Sequence, residues 1–254
     1  MTNRRNEIAA GFWDEPIGVS TEIAPDDEMY ASDPQYYFEA GTSAVRAIRA
    51  AMLIVGKPAV GEILDLPCGH GRVLRTLAVA FPAARLTACD IHRPGVDFCA
   101  ERFGARPVYS TEDPSEIPLN GDFDLIWCGS LLTHLDEPMW DGFLELFESR
   151  LKRNGLLVFT AHGRNIVGRL RRGDFRDAID PTRGKRLLRA YDDTGFGYTD
   201  YSGQSGYGVS LSAPSWVCDR IERSETLRLV AYTERAWLGH DVVACVRRLE
   251  AESP

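Results

Sequence analysis

The 254-residue sequence predicts an α/β fold: a doubly wound, mostly parallel seven-stranded sheet with an antiparallel C-terminal hairpin strand. Between residues 60 and 162, short apolar runs alternate with stretches of helical spacing, which is the pattern of βαβ units. The last two apolar runs are joined only by Arg235–His240, which is too short for a crossover helix, so these strands are expected to pair antiparallel. The composition, 44% hydrophobic and 26% charged, excludes a disordered, collagen-like or disulfide-scaffold protein.

The predicted elements follow this alternation. Residues 1–42 are expected to form an N-terminal arm and lid, with a short helix after Asp33, and residues 43–254 form the main domain. The first long helix is expected over Ser43–Val55, capped by Thr42 or by Ser43 itself. The predicted strands are Glu62–Leu66, Arg85–Cys89, Pro107–Tyr109, Phe123–Trp127, Leu156–Ala161, Leu227–Glu234 and Asp241–Arg248. The remaining predicted helices are Gly71–Phe81, Pro94–Phe103, Pro138–Arg153 and Pro214–Arg223.

A glycine-containing turn follows the first predicted strand. Gly69 and Gly71 permit left-handed backbone and let a ligand approach the main chain, and the following helix offers free N–H donors. Asp65, at the strand end, could accept from a ligand ammonium or hydroxyl. Asp90 ends the second strand, 19 residues after Gly71, where an acid can bind both hydroxyls of a ribose. The combination predicts a nucleoside-cofactor site, and the alternative is a tight turn beside a solvated acid.

The type of cofactor depends on the residues around these glycines. A dinucleotide fingerprint has a third glycine at position 74, where this chain has Leu74. The segment Asp65–Gly71 instead resembles the first motif, D/E-x-G/x-x-G-x-G, of the class I (Rossmann-like) S-adenosylmethionine (SAM)-dependent methyltransferases. Pro67 departs from the commoner glycine of that motif. Later motifs of the family resemble the segments Thr111–Pro118, Phe123–Leu135 and Leu151–Phe159.

The resemblance, which covers roughly residues 60–162, implies SAM as the cofactor and a set of binding residues. Asp90 matches the ribose-binding acid of the family, and Asp113 matches the acid that contacts the adenine amine. The cofactor-binding residues so predicted are Asp65, Pro67, Cys68, Gly69, Gly71, Asp90, Ile91, Glu112, Asp113, Cys128, Gly129 and Tyr37. No metal site is expected, because the six cysteines are scattered without a C-x-x-C pair, as in a cytoplasmic protein with reduced thiols.

Two histidines are candidate catalytic residues. Methyl transfer from a sulfonium is an in-line displacement, in which a base is needed only when the acceptor keeps its proton at neutral pH. His134 lies just past the fourth strand, and His162 ends the fifth. Packing against the next helix is the alternative role for His134. His70 is expected to shape the glycine turn, and His92 and His240 to lie at the surface or in turns.

The segments on either side of the predicted domain core suggest a lid and an acceptor site. Tyr30, Tyr36 and Tyr37 could close over the methionine end of the cofactor, as in many such methyltransferases, or could anchor the arm by burying aromatic area. Residues 163–213 interrupt the strand–helix alternation and are predicted to be a substrate-side insertion. Within it, Thr194–Gly208 is expected to form a wall for a ring-shaped acceptor or an irregular hairpin. The candidate substrate-binding residues are Tyr30, Arg164, Tyr198, Tyr207 and Trp237.

The charge distribution adds an expectation about the acceptor. Residues 164–189 contain nine basic and three acidic side chains, a net charge of +6 in a chain whose total is -8. This cluster of basic side chains could bind an anionic acceptor, or it could be a basic helix that is exposed to solvent. The acidic remainder of the chain argues against nucleic-acid binding.

These observations predict a SAM-dependent methyltransferase that acts on a small molecule, preferably by O-methylation of a glycan or metabolite hydroxyl. One alternative is an NAD(P)-dependent oxidoreductase of Rossmann type, which Leu74 and the antiparallel end of the sheet disfavour. The other is a non-catalytic SAM-binding subunit. No apolar run is long enough to span a membrane, and the N-terminus lacks the apolar stretch of a signal peptide. The oligomeric state is left open.

Overall fold

The computed structural model describes residues 14–30, 34–174 and 179–248, so the expectations for residues 1–13 and Asp33 lie outside the described residues. The strands are β1 (Glu62–Asp65), β2 (Arg85–Asp90), β3 (Arg106–Tyr109), β4 (Phe123–Cys128), β5 (Leu151–Ala161), β6 (Phe196–Asp200), β7 (Gly208–Ser212), β8 (Leu227–Trp237) and β9 (His240–Arg247). The helices are α1 (Pro34–Val55), α2 (Leu74–Ala80), α3 (Arg93–Phe103), α4 (Glu137–Arg150), α5 (Arg164–Arg171), α6 (Pro181–Thr194) and α7 (Pro214–Glu222).

The main sheet has seven strands in the order β3-β2-β1-β4-β5-β9-β8. Neighbouring strands from β3 to β5 pair in parallel, whereas β9 is antiparallel to both β5 and β8. The predicted fold class is therefore confirmed, including the antiparallel C-terminal hairpin strand. The chain order reverses between β1 and β4, and ligands of such sheets bind at the carboxyl ends of the strands beside that point.

Helices cover both faces of the sheet. Ile63 belongs to the core beneath α1, α2 and α3, whereas its neighbour Leu64 belongs to the core beneath α4 and α7. This alternation along a strand buried on both faces explains why β1 reads as one continuous apolar run. Trp127 and Trp140 are the largest side chains of the two cores, and both are fully buried. In the described ranges, no helix is both long and apolar enough to span a bilayer.

Helix α1 begins at Pro34, well before the predicted start at Ser43. Ser43 lies inside the helix, where its hydroxyl donates to a backbone carbonyl one turn earlier at 2.7 Å. The prediction of a cap at Thr42 or Ser43 is therefore wrong. The physical reason is that the buried face of the helix extends back from Ala44 to Tyr37, so a single helix crosses the expected boundary between lid and domain.

Helix α2, by contrast, starts later than predicted, at Leu74 rather than Gly71. The chain is still turning at Gly69 and Gly71, whose φ angles of +50° and +78° are incompatible with a right-handed helix. At the other end of the domain core, α4 stops at Arg150 because β5 already begins at the next residue.

The insertion folds as two helices and a separate two-stranded antiparallel sheet. Helices α5 and α6 and strand β7 share a small core that includes Val167, Leu187 and Leu211, whereas Phe196 of β6 belongs to the core beneath α4 and α7. The insertion is joined to the main sheet by a backbone hydrogen bond from Ser212 to the carbonyl of His162 (3.0 Å). Of the two expectations for Thr194–Gly208, the structure shows a hairpin, and the loop of this hairpin returns to the edge of the main sheet.

Candidate functional site

A cavity of about 210 Å³ lies at the carboxyl ends of β1, β2 and β4, beside the reversal of strand order. Its wall includes several predicted site residues, namely Pro67, Cys68, Gly69, Asp90, Gly129, His134, Tyr207 and Trp237. It also includes residues that sequence reasoning did not assign to the site, namely Asp27, Met29, His70, Arg72, Val73, Trp127 and Ser130. A larger groove of about 480 Å³ between α1 and the β8–β9 hairpin contains none of the predicted cofactor-binding or catalytic residues.

The glycine turn presents bare backbone to the cavity. A side chain at Gly71 would meet the ring of Phe103 at 2.6 Å, and one at Gly95 would meet the carbonyl of Gly69 at 2.5 Å. Helix α3 therefore packs directly against the back of the turn. A side chain at Gly69 would meet nothing within 4 Å, because this position faces the open side. The turn is thus supported from behind and leaves room for a ligand in front.

Asp90 holds the glycine turn and the start of α3 together. Its Oδ2 accepts from the backbone N–H of Gly69 at 2.7 Å, and its Oδ1 accepts from the backbone N–H of His92 at 2.8 Å. Each carboxylate oxygen can accept a further hydrogen bond. Because Asp90 also lies in the cavity wall, its carboxylate can bind hydroxyl groups of a ligand while it holds the turn.

Asp65 is a buried carboxylate without a partner. Its side chain is 1% exposed, and neither carboxylate oxygen has a hydrogen-bond partner within the described part of the chain. Burial raises the pKa of Asp65 well above its ordinary value, and the negative charge of Asp90 raises it further. Asp65 lies outside the cavity wall, and its raised pKa favours the neutral acid as long as no cation is near. A cation brought close to it, such as an ammonium group, would favour the charged form.

Arg72 places a guanidinium in the cavity wall, immediately after the second glycine of the turn. Its guanidinium lies 5.4 Å from the centre of the Trp237 ring. Burial lowers the pKa of Arg72, an effect opposed by Tyr36, Tyr37, Asp27 and Asp65. Trp237, predicted as a substrate-binding residue, is 1% exposed and donates from its indole N–H to a carbonyl of α1 at 2.8 Å. It therefore forms a rigid floor beneath the arginine.

The N-terminal segment closes one side of the cavity through Asp27 and Met29. The hydroxyl of Tyr37 donates to Asp27 at 2.5 Å, and the buried guanidinium of Arg75 donates to Tyr37 at 3.1 Å and to two carbonyls of the segment. Tyr37 is fully buried and lies outside the wall, so the structure does not support its predicted contact with a cofactor. Tyr30 packs edge-on against Tyr37 at 5.4 Å, also outside the wall. Tyr30 and Tyr37 therefore anchor the segment by their packing, which is the second of the two roles that the sequence suggested for these tyrosines.

His134 lies in the cavity wall, at the end of a short 3-10 turn after β4. Its Nδ1 lies 2.8 Å from the carbonyl oxygen of Gly208 and 3.1 Å from the hydroxyl of Tyr201. The ring of Tyr207 stacks on His134 with centres 4.9 Å apart. Burial lowers the pKa of His134, and the Gly208 carbonyl partly opposes that effect. The imidazole is therefore neutral near neutral pH and available as a base.

His162 and His240 form a hydrogen-bonded pair behind His134. The Nδ1 of His162 lies 3.2 Å from the carbonyl of Ser210, and its Nε2 lies 3.2 Å from the Nε2 of His240. Burial and the neighbouring histidines lower the pKa of both residues, that of His240 to about 3. The prediction that His240 is a surface or turn residue is wrong. His162 lies outside the cavity wall, with its ring 6.3 Å from that of His134, so a direct catalytic contact is not supported.

The other predicted cofactor-binding residues lie outside the cavity wall. Cys128 is fully buried in the core beneath α4, and burial raises the pKa of its thiol. Ile91 is 59% exposed, beside Asp90. Asp113 accepts from the backbone N–H of Ser115 at 2.9 Å, which helps to lower its pKa, and Glu112 is exposed. Apart from Cys128, these residues follow β2 and β3 along the same edge of the sheet and could extend the site there.

The charged and aromatic residues predicted from the insertion contribute less than expected. Arg164 pairs with Glu234 at 3.2 Å, and the Tyr198 hydroxyl donates to Asp200 at 2.6 Å. None of the described basic residues of segment 164–189 lines the cavity, and Arg176 lies outside the described residues. The cavity therefore offers no support for an anionic acceptor from this segment.

Part of the chain is similar to known proteins. Residues 63–155 match the model of a family described as a methyltransferase domain. An uncharacterized protein of Synechococcus sp. is 32% identical over 146 residues, which cover 49% of this chain and 33% of that protein. A malonyl-[acyl-carrier protein] O-methyltransferase of Acetivibrio thermocellus is 29% identical over 103 residues, which cover 40% of this chain and 36% of that protein. The matches thus span about a third of the length of these curated relatives.

A solved structure with the same fold is that of the 1,6-didemethyltoxoflavin-N1-methyltransferase of Burkholderia thailandensis, which contains bound S-adenosylhomocysteine. It aligns with a TM-score of 0.56 and 15% identity over 91% of this chain and 94% of that protein. At this identity the likeness concerns the fold, and it extends well beyond the residues matched by the family model.

Proposed function

We propose that this chain, a member of the class I (Rossmann-like) SAM-dependent methyltransferase family, transfers the methyl group of SAM to a hydroxyl of a small-molecule acceptor. The observation that carries the proposal is the cavity itself. The glycine turn and the carboxylate of Asp90 lie together in its wall, at the point where such sheets bind nucleosides, and the unpaired carboxylate of Asp65 lies outside the wall at the end of the adjoining strand β1. The family match covers these same residues.

The residues present fit SAM in its parts. Asp90 has free acceptor capacity for the ribose hydroxyls, and the exposed side chain of Ile91 beside it offers an apolar surface for the adenine. Arg72, in the wall, provides a cation for the carboxylate of the methionine moiety. Asp65, whose pKa is raised in the protein alone, would ionise when the ammonium group of SAM comes close to it. Asp113 remains the candidate for the adenine amine.

When bound, SAM supplies a methyl group that is already activated by a positively charged sulfur. The protein must then position the acceptor, exclude water and remove the proton that the acceptor loses. His134 is the wall residue proposed to take this proton, because its ring is neutral and one nitrogen keeps its lone pair. A water-excluding wall is available in Met29, Tyr207 and Trp237.

The acceptor is proposed to be an uncharged molecule with a hydroxyl group, such as a glycan or another metabolite. Around His134 the wall is aromatic and polar but neutral, with Tyr207 stacked on the imidazole and Ser130 next to it. Arg72 is the one lysine or arginine among the described residues of the wall, and it is assigned to the cofactor. An acceptor that presents a ring to Tyr207 and a hydroxyl to His134 suits this surface.

Calorimetry with SAM, S-adenosylhomocysteine and NAD tests the cofactor assignment. Binding of the first two without the third is expected, whereas binding of NAD alone would support the oxidoreductase alternative. Mass spectrometry of pools of hydroxylated acceptors, incubated with protein and SAM, then tests turnover through products heavier by one methylene group. Cofactor binding with no product from any pool would favour the non-catalytic subunit.

A further inference from the structure

The inserted hairpin determines which nitrogen of His134 carries the proton. A carbonyl oxygen can only accept a hydrogen bond, so the 2.8 Å contact between His134 Nδ1 and the Gly208 carbonyl requires a proton on Nδ1. The hydroxyl oxygen of Tyr201 lies 3.1 Å from the same nitrogen and can share that N–H as a second acceptor. The neutral ring then has its lone pair on Nε2.

The three contacts that hold the imidazole come from one turn of the chain. Asp200, the last residue of β6, pairs with Gly208, the first residue of β7, so Tyr201 and Tyr207 flank the loop between the two strands. The backbone N–H of Tyr201 donates to the carbonyl of Tyr207 at 3.1 Å, which fixes one relative to the other. A rearrangement of this loop would therefore alter both hydrogen-bond acceptors of His134 and the ring stacked on it.

We propose that the β6–β7 hairpin sets the proton position on His134, with the Gly208 carbonyl and the Tyr201 hydroxyl holding Nδ1–H so that Nε2 is the basic nitrogen. Tyr201 is in this view a positioning residue that acts through His134. The use of Nε2 as the base rests on the proposed function, but the tautomer itself does not.

The surroundings of His134 explain why Tyr201 matters. On taking up a proton the ring becomes a cation, and the Gly208 carbonyl at Nδ1 stabilises that form against the effect of burial. The Tyr201 hydroxyl oxygen, as a second acceptor at the same nitrogen, should act in the same direction. Titratable and charged groups face this region from several neighbouring elements. Two are histidines next to the sheet, His162 directly after β5 and His240 at the start of β9, and two are tyrosines of the hairpin, Tyr201 and Tyr207. The others line the cavity: His70 and Arg72 in the turn after β1, Asp90 at the end of β2, and Asp27 in the N-terminal segment. Of these, the Tyr201 hydroxyl is the side-chain group hydrogen-bonded to the ring.

Magnetic resonance of the full-length protein with isotope-labelled histidine tests the proposal without any cofactor or acceptor. The chain has five histidines, and His134→Gln assigns the relevant signals. In the wild type, His134 should show a protonated Nδ1 and an unprotonated Nε2 in its neutral form. Tyr201→Phe should lower the titration midpoint of His134 by up to about one pH unit, because one of two acceptors is lost.

Tyr198→Phe is the matched control, since it removes a neighbouring tyrosine hydroxyl that bonds Asp200 instead of His134. It should leave the midpoint of His134 unchanged. A wild-type His134 protonated on Nε2 would overturn the proposal even if the Tyr201 variant did not fold. If the titration midpoint of His134 were the same in Tyr201→Phe as in the wild type, the positioning role proposed for Tyr201 would be refuted. Calorimetry with SAM on the same samples reports separately on the proposed function.

Discussion

Replacement of Asp90 by alanine should separate its role toward a ligand from its role in the fold. In the protein alone, the variant loses the acceptor of two backbone N–H groups, those of Gly69 and His92. The cost is expected to be about 1–3 kcal/mol of unfolding free energy, because these bonds are charge-assisted and partly buried. For SAM, the loss of hydrogen bonds to the ribose should cost a further 1–3 kcal/mol or so, roughly a 5- to 150-fold increase in Kd.

Calorimetry at a temperature where the variant is folded measures the affinity, and denaturant titration measures the stability. Asp90→Asn is a graded variant, because its amide oxygen can still accept from Gly69 while its amide N–H cannot accept from His92. Asp122→Ala removes an exposed carboxylate outside the cavity and should change neither quantity. An Asp90→Ala protein that binds SAM as tightly as the wild type would refute the assignment of the ribose, whatever its stability.

Three further predictions concern the glycine turn and its charges. Gly71→Ala should destabilise the fold by about 1–3 kcal/mol in denaturant titration, because φ is +78° and the new methyl group would meet Phe103 at 2.6 Å. Gly104→Ala, with φ of +65° but open space, should cost about 1 kcal/mol or less. Arg72→Met should weaken SAM but leave adenosine binding unchanged in calorimetry; an equal loss for both would contradict its assignment to the amino-acid end. The raised pKa of Asp65 makes its own contribution to stability fall as the pH rises above about 4, so the difference in unfolding free energy between the wild type and Asp65→Asn, measured without ligand, should shift against the wild type as the pH rises.

The fold could be predicted because its signals are local. Apolar runs bounded by turn residues defined the strands, and the short link before His240 required the antiparallel pair at the end of the sheet. The boundaries that failed depend on tertiary contacts. Helix α1 extends back to Pro34 because the Tyr37 hydroxyl forms hydrogen bonds with Asp27 and Arg75, and no periodicity in the sequence indicates those contacts.

The site was predicted in part for the same reason. Motif spacing was sufficient for Gly69 and Asp90, which lie close together in the chain and at one edge of the sheet. Asp27 and Met29 enter the wall from a segment with no periodic pattern, so only the folded chain reveals them. Tyr201 reaches His134 across 67 positions, and a glycine-rich and aromatic composition could suggest a wall but not that hydrogen bond.

Burial determines the charge state of several ionisable groups in and near the cavity. Asp65 is held without a partner, and His162 and His240 are held neutral by burial, so the protein without ligand contains polar groups in unfavourable surroundings. A positively charged ligand would pair with Asp65 and offset the cost of its burial, so ligand binding should stabilise the protein. The carboxyl group of Asp65, which can ionise beside a cation, would therefore favour a ligand that carries a positive charge over one without it.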